Sequence, residues 1–301
     1  MKIAHTDQLP IYKDDHPTGA LAQRYLFIGE DLSPDNFMFS IAETTGRFEM
    51  LQHRHNFDQF RMALRGDMSM GNGRYLREGW LGYFPEGASY GPQDDQQGPV
   101  ALVLQFGGAS GYGYMSPQQY RDGRAALKQK GHFEGAVFVR DIQEGKPKRT
   151  FSINAIWEQA LGQRLLLPSP RYDSAIFMNP AAYRWIPIAG QPDIFRKHLG
   201  TFSEREVKAE IFQLSPGKTL TLQASNAIHL LFILDGDASA GGQIIGKHDG
   251  IQLSPGDKVS LTAINKLNFL SFVMPLVKRE WLEPEAESVE PVLGESVQAA
   301  H

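Results

Sequence analysis

The residues best able to do chemistry lie in one run, His53-Arg54-His55-Asn56-Phe57-Asp58-Gln59. Side chains two apart on a β-strand face the same side, so His53 and His55 are expected to project together. Gln59, four residues on, shares their parity. Two imidazole nitrogens and an amide oxygen on a common face can seize one divalent ion, and imidazole suits Fe, Mn, Ni, Co or Zn. A neutral Gln is a weaker ligand than Glu and leaves the ion with more net positive charge. Standing alone, a His-x-His pair is also an ordinary surface feature, so the pair needs elements around it that would turn it inward.

Those elements read as strands. Tyr25–Ile28, Asn36–Ile41 and Val100–Phe106 are short, rich in aromatic or β-branched residues, and bounded by Gly, Asp or Pro. A second set follows at Glu210–Leu214, Thr219–Leu222, His229–Leu234 and Phe269–Val273. Many short strands at close spacing predict sandwiches or barrels. Helix is sparse, with one short segment expected in Pro117–Gln129 and another in Ile153–Leu161. An internal echo supports two hairpin halves in the later module: Gln213-Leu-Ser-Pro-Gly217 recurs as Gln252-Leu-Ser-Pro-Gly256. The predicted class is all-β, two antiparallel barrels with few helices.

The second informative segment is Gly79-Trp-Leu-Gly-Tyr-Phe-Pro85-Glu-Gly87-Ala-Ser-Tyr90. Together the two segments resemble the paired motifs of the cupin superfamily. Gly46, His53, His55, Gln59 and Gly66 match the first motif, with one extra residue after Gly46. Gly79, Pro85 and Gly87 match the second at full spacing. Two departures matter: Gln59 stands where the family usually has Glu, and Tyr90 where it has the last His. The resemblance implies a jelly-roll barrel, with His53, His55 and Gln59 holding one divalent metal ion (Fe, Mn, Ni, Co or Zn). Tyr90 is then a phenolate ligand, a proton donor beside the metal, or a residue that only fills space. By strand parity Arg61 continues the inward face, where its guanidinium would hold a substrate anion or cap the barrel mouth in a salt bridge. Phe57 would form an apolar wall, Gln105 is a candidate to face the cavity, and Asp58 should point away.

The later module matches the same frame poorly. His229 falls in the slot of Gln59, but Gln223, Ser225 and Leu267 occupy the other ligand slots, so it is expected to be a barrel that has lost its metal. The resulting division is 1–116 for the N-terminal barrel, 117–190 for a connecting segment packed on the barrels, 191–278 for the degenerate C-terminal barrel, and 279–301 for an acidic, disordered tail. Two-barrel relatives in the superfamily include quercetin and gentisate dioxygenases, oxalate decarboxylase, and an aminohydrolase of purine breakdown whose manganese site includes a Gln. None matches this ligand set residue for residue.

Composition removes other classes. Among 301 residues, 30 are basic and 34 acidic, for a net charge of −4, so no basic field is available to neutralise nucleic-acid phosphates. The absence of cysteine excludes disulfides, thiol nucleophiles and thiolate metal sites. Neither an apolar leader nor a run of 18 apolar residues is present, so a cytoplasmic protein without membrane partners is expected. Gly107–Gly113 lacks the Lys-Ser/Thr of a phosphate loop and reads as a turn. The leading expectation is a dioxygenase-like oxidoreductase acting on a small molecule in the N-terminal barrel, with Tyr90 and Arg61 as catalytic groups. The rivals are a metal-assisted lyase, isomerase or hydrolase, and a non-catalytic barrel that binds a small ligand; the pattern leaves a homodimer open.

Overall fold

Alternation along each long strand sends its two faces to different places. In Asp58–Arg65, Phe60 and Met62 enter one core while Gln59, Arg61 and Ala63 face another. The neighbouring strand Val100–Phe106 does the same, with Leu102, Leu104 and Phe106 on one side and Ala101, Val103 and Gln105 on the other. The computed structural model describes residues 1–16, 19–95, 98–111, 113–135, 137–142 and 145–278. The expected tail from 279 and Tyr112 of the glycine-rich turn lie outside them.

Two seven-stranded antiparallel sheets result. The first runs in the order Ile176–Met178, Leu81–Phe84, Asp58–Arg65, Val100–Phe106, Phe37–Thr45, Gly19–Ile28, Tyr12–His16. The second runs Lys2–Ala4, Gly250–Leu253, Ala227–Asp235, Leu267–Pro275, Val207–Leu214, Gln191–Phe202, Ile186–Ile188. Small sheets stand opposite in each module: Phe48–Met50 with Gln93–Asp95 and Met68–Ser69 with Tyr75–Leu76 in the first, a four-stranded sheet in the second. The all-β, two-module class therefore holds. The repeated Ser-Pro-Gly turns occupy equivalent places: Gly217 N–H donates to Ala263 O at 2.8 Å and Gly256 N–H to Ala224 O at 2.6 Å, flanking the antiparallel pair Thr219–Gln223 and Lys258–Ala263.

The largest core lies between the two big sheets rather than inside either module. Phe39 meets Phe232 and Phe272 edge-on, Phe60 meets Phe202 with centroids 5.3 Å apart, and Tyr83 meets Phe202 at 4.5 Å. Aromatic pairs at these distances add to simple burial, so this layer fuses the modules. Lys2–Ala4, assigned by sequence to the N-terminal barrel, pairs instead with Gly250–Leu253 at the edge of the second sheet.

The connecting segment is more ordered than its Pro- and Gly-rich sequence suggests. Helix α1 (Pro117–Leu127) starts in a capping box between Ser116 and Gln119, and α2 (Ser152–Leu161) stops at Gly162 in the left-handed conformation. Between them lies a three-stranded sheet, Gly131–Glu134, Val137–Arg140 and Arg149–Phe151. Leu127, Phe138, Ile156, Trp157 and Leu165 give this insertion a core of its own. Further on, Ile176–Met178 joins the first sheet and Ile186–Ile188 the second.

Candidate metal centre

Gln59 and Arg61 are fully or nearly buried on the inward face of Asp58–Arg65. His53 and His55 are not on that strand, which corrects the parity argument that grouped them. The strand starts at Asp58, and the residues before it form a loop held by backbone bonds to the second motif. His53 and Tyr90 exchange both backbone bonds, at 3.1 and 3.0 Å, and Gly87 N–H donates to His55 O at 2.7 Å. Gly87 has φ +78°, and a Cβ there would lie 2.1 Å from Pro168 O, so only glycine fits this turn. One motif thus clamps the other, and both rings turn inward.

The side chains meet at the Tyr90 hydroxyl. It lies 2.9 Å from His55 Nε2, 3.0 Å from Gln59 Nε2 and 3.2 Å from an Arg61 guanidinium nitrogen. The amide and guanidinium nitrogens can only donate, so they fill both lone pairs of the phenol oxygen. The phenol O–H therefore donates to His55 Nε2, which fixes that imidazole as the Nδ1–H tautomer. Burial raises the Tyr90 pKa above its ordinary value, against the opposing pull of Arg61 and the Gln59 hydrogen bond, so the phenol keeps its proton at neutral pH.

His53 donates from Nδ1 to Leu51 O at 2.8 Å, leaving a lone pair on Nε2. That atom is buried and has no hydrogen-bond partner. Burial is the main cause that pushes His53 down to about 4, with Arg61 adding to it. Burial, then His53 and Arg61, hold His55 well below the ordinary imidazole value. Both rings are neutral at physiological pH, the form that ligates metal. The His53 ring lies 4.8 Å from that of His55 and 4.5 Å from that of Tyr90, centroid to centroid.

These groups fit a divalent cation. Two imidazoles and a phenol are donors that suit it: His53 Nε2 has a free lone pair, while those of His55 Nε2 and the phenol oxygen are engaged in hydrogen bonds that a cation would have to displace. The described residues contain no group of three or more His, Cys, Asp or Glu able to hold a metal, so Tyr90 or Gln59 would have to complete the shell. Among the described residues no carboxylate joins these donors, and Arg61 adds positive charge, linked through Gln93 to the buried Asp95.

The surrounding wall includes residues that sequence reasoning weighed and others that it missed. Phe57 stacks on His55 with centroids 4.3 Å apart. Gln105 pairs in register with Gln59 and donates to its Oε1 at 2.8 Å. Tyr114 donates to Gln105 Oε1 at 2.8 Å, and Arg61 donates to Gln93 Oε1 at 3.3 Å. Neither Tyr114 nor Gln93 stands in a motif. Tyr114 comes from the coil before α1, which no local pattern ties to the pocket. In the second module the corresponding face runs His229, Leu231, Ile233; His229 is partly buried, and the two aliphatic residues join a packed hydrocarbon core.

Asp58 lies on the opposite face, against the inter-sheet core. It accepts from Glu86 N–H at 2.8 Å, and burial, then the Glu86 carboxylate, push it up to about 7. Arg171 holds Glu86 at 2.6 Å and opposes the shift weakly. A carboxyl raised in the fold binds its proton more tightly folded than unfolded, so its contribution is present at low pH and lost as pH rises through about 7. The thermal midpoint of the wild type is expected to fall by several degrees from pH 5 to pH 8, and Asp58→Asn, which mimics the neutral carboxyl, should flatten that slope. Parallel pH profiles for the two proteins would refute the assignment.

No family model and no curated protein sequence matches the chain. Solved structures do. A protein described as a "putative dioxygenase" from Nostoc punctiforme aligns with TM-score 0.61 and 10% identity over 91% of this chain and 82% of its own. HEPD of Streptomyces albus, with its substrate 2-hydroxyethylphosphonate and Fe(II) bound, aligns with TM-score 0.56 and 12% identity over 91% and 76%. Oxalate decarboxylase of Bacillus subtilis aligns with TM-score 0.51 and 12% identity over the same shares. At such identities the likeness speaks for fold alone, and with the two facing sheet systems and the paired motifs it is sufficient for that: the chain has the cupin fold in its two-module, bicupin form.

Proposed function

We propose that the N-terminal module is the divalent-metal centre of an oxidoreductase acting on a small organic anion. The observation that carries this reading is the buried, partnerless His53 Nε2 beside the neutral His55 ring and the Tyr90 hydroxyl. His53 and His55 would hold the ion, with Gln59 or Tyr90 completing the shell. When bound, a redox-active ion with so few protein ligands supplies open positions for substrate and dioxygen. The chain's own residues do the rest. Arg61 binds the substrate's negative charge, which also offsets the charge of a cation held by neutral ligands. Tyr90 Oη, protonated and fixed by Gln59 and Arg61, holds a proton at the reacting centre. Phe57, stacked on His55, and Phe84, whose ring lies 4.8 Å from that of Tyr90, exclude water from that side.

The experiment is metal content together with oxygen uptake. Protein purified without chelators or nickel resin should hold close to one equivalent of a redox metal, or take it up as ferrous ion under anaerobic conditions. Loaded protein should then consume oxygen when offered small carboxylates or phosphonates. Turnover without oxygen uptake would favour a metal-assisted lyase, isomerase or hydrolase. A second reading rests on Arg61 and the lack of any carboxylate among the ligands: a metal-free pocket that binds an anion without chemistry. Metal below a tenth of an equivalent after reconstitution, with anion binding retained, would sink the enzyme reading in its favour.

A further inference from the structure

Five side chains form a single directed chain of hydrogen bonds across the pocket floor. Tyr114 O–H donates to Gln105 Oε1 at 2.8 Å, and Gln105 Nε2 donates to Gln59 Oε1 at 2.8 Å. Gln59 Nε2 donates to Tyr90 Oη at 3.0 Å, and Tyr90 O–H donates to His55 Nε2 at 2.9 Å. In this direction Gln59 presents an NH2 group to the pocket, and the lone pair of His55 Nε2 is already taken. Both features oppose a cation.

The chain has one other self-consistent direction. Turning both amides by half a rotation exchanges oxygen and nitrogen while the heavy-atom positions stay nearly unchanged. Gln59 Nε2 then donates to Gln105 Oε1, and Gln105 Nε2 donates to Tyr114 Oη. The Tyr114 hydroxyl has a second acceptor ready, Met38 Sδ at 3.7 Å. At the other end Gln59 Oε1 faces Tyr90, accepts its O–H, and releases the lone pair of His55. Turning only one amide would set two NH2 groups or two carbonyls face to face. Gln59, Tyr90 and Tyr114 are buried, so water cannot repair such a mismatch, which costs about 1–3 kcal/mol per unsatisfied group. Register enforces the link, because Gln105 lies directly opposite Gln59 on one side and Met38 on the other.

We propose that the Tyr114–Gln105–Gln59–Tyr90–His55 chain is a two-direction switch whose reversal admits a divalent cation, with Gln105 and Tyr114 as positioning residues that set the direction. The proposal rests on the metal-centre reading for its cation. The direction described first is the closed one, and cation binding pulls the chain to the open one.

A carboxylate at position 105 can only accept, so Gln105→Glu forces Gln59 to donate toward it and to present Oε1 to the pocket. Cobalt(II) titration should show at least tenfold tighter binding for Gln105→Glu than for the wild type. The added negative charge would also attract a cation, and a double-mutant cycle separates the two effects. In a Gln59→Leu background the gain should shrink to threefold or less, whereas a gain of equal size in both backgrounds would overturn the proposal. A second measurement needs no metal. In protein labelled at glutamine side chains, the Gln59 amide protons should show NOEs to the Tyr90 ring in the wild type and lose them in Gln105→Glu. Unchanged NOEs would overturn the switch whatever the titration gives. NOEs that reverse while no variant binds cobalt would support the two-direction chain and overturn the metal reading instead.

Discussion

Replacement of Arg205 by Met is expected to cost about 3–5 kcal/mol of stability, the range for removing one partner of a buried ion pair. Arg205 has no exposed side-chain surface, yet all three of its nitrogens are engaged. Nε donates to Pro275 O at 3.1 Å, one terminal nitrogen to Gly107 O, and the other to Asp35 Oδ1. Asp35 and Gly107 belong to the first module and Pro275 to the second, so the guanidinium bridges the two. Methionine fills much of the volume but takes the guanidinium from two carbonyls and from a carboxylate that keeps only the Val277 N–H on that oxygen. Equilibrium urea unfolding measures the loss. Arg65→Met is the matched control: its ion pair with Glu43 is largely exposed, and it should cost under about 1 kcal/mol. If Arg205→Met cost no more than that control, the bridge would be ornament.

The second large effect is expected at the imidazoles. His53→Ala/His55→Ala removes both proposed nitrogen ligands and should weaken cobalt(II) or ferrous-ion binding by about a thousandfold or more, on the scale set by metal-site free energies shared among few ligands. Neither ring bears on the inter-sheet core, so the thermal midpoint should move by no more than a few degrees. Isothermal titration reads the first quantity and calorimetry the second. Retained affinity in the double variant would place any bound cation elsewhere. Lost affinity with a collapsed midpoint would instead show that the loop before Asp58 needs the rings to fold.

The sequence carried the fold through two kinds of signal, and each had its limit. The strands at 100–106, 210–214 and 269–273 were visible as short β-branched and aromatic runs, and the structure extends the last two to Val207–Leu214 and Leu267–Pro275. Asp58 was correctly expected to leave the pocket, since strand parity held from that residue on. For His53 and His55 the grouping with Gln59 came from a parity that the backbone does not have. What turns the rings inward is pairing with Tyr90 and Gly87, more than 30 residues later, and only the second motif hinted at it. The partners of Arg205 are separated from it by 98 and 170 positions in the chain for Gly107 and Asp35, and no local pattern encodes such contacts. The three-stranded sheet in the insertion was missed for another reason: Val137–Arg140 carries a β-branched and aromatic run, but each strand is only three or four residues long and glycines stand close by at 131, 135 and 145.

The placement of Lys2–Ala4 beside Gly250–Leu253 has a consequence for synthesis. On the ribosome Lys2 emerges 250 positions before its partner Gln252. A strand with no neighbour exposes unpaired backbone groups, and here that exposure lasts until most of the chain has been made. Lys2–Ala4 is therefore seated only once Gly250–Leu253 has been made, and it closes the second module rather than begins the first.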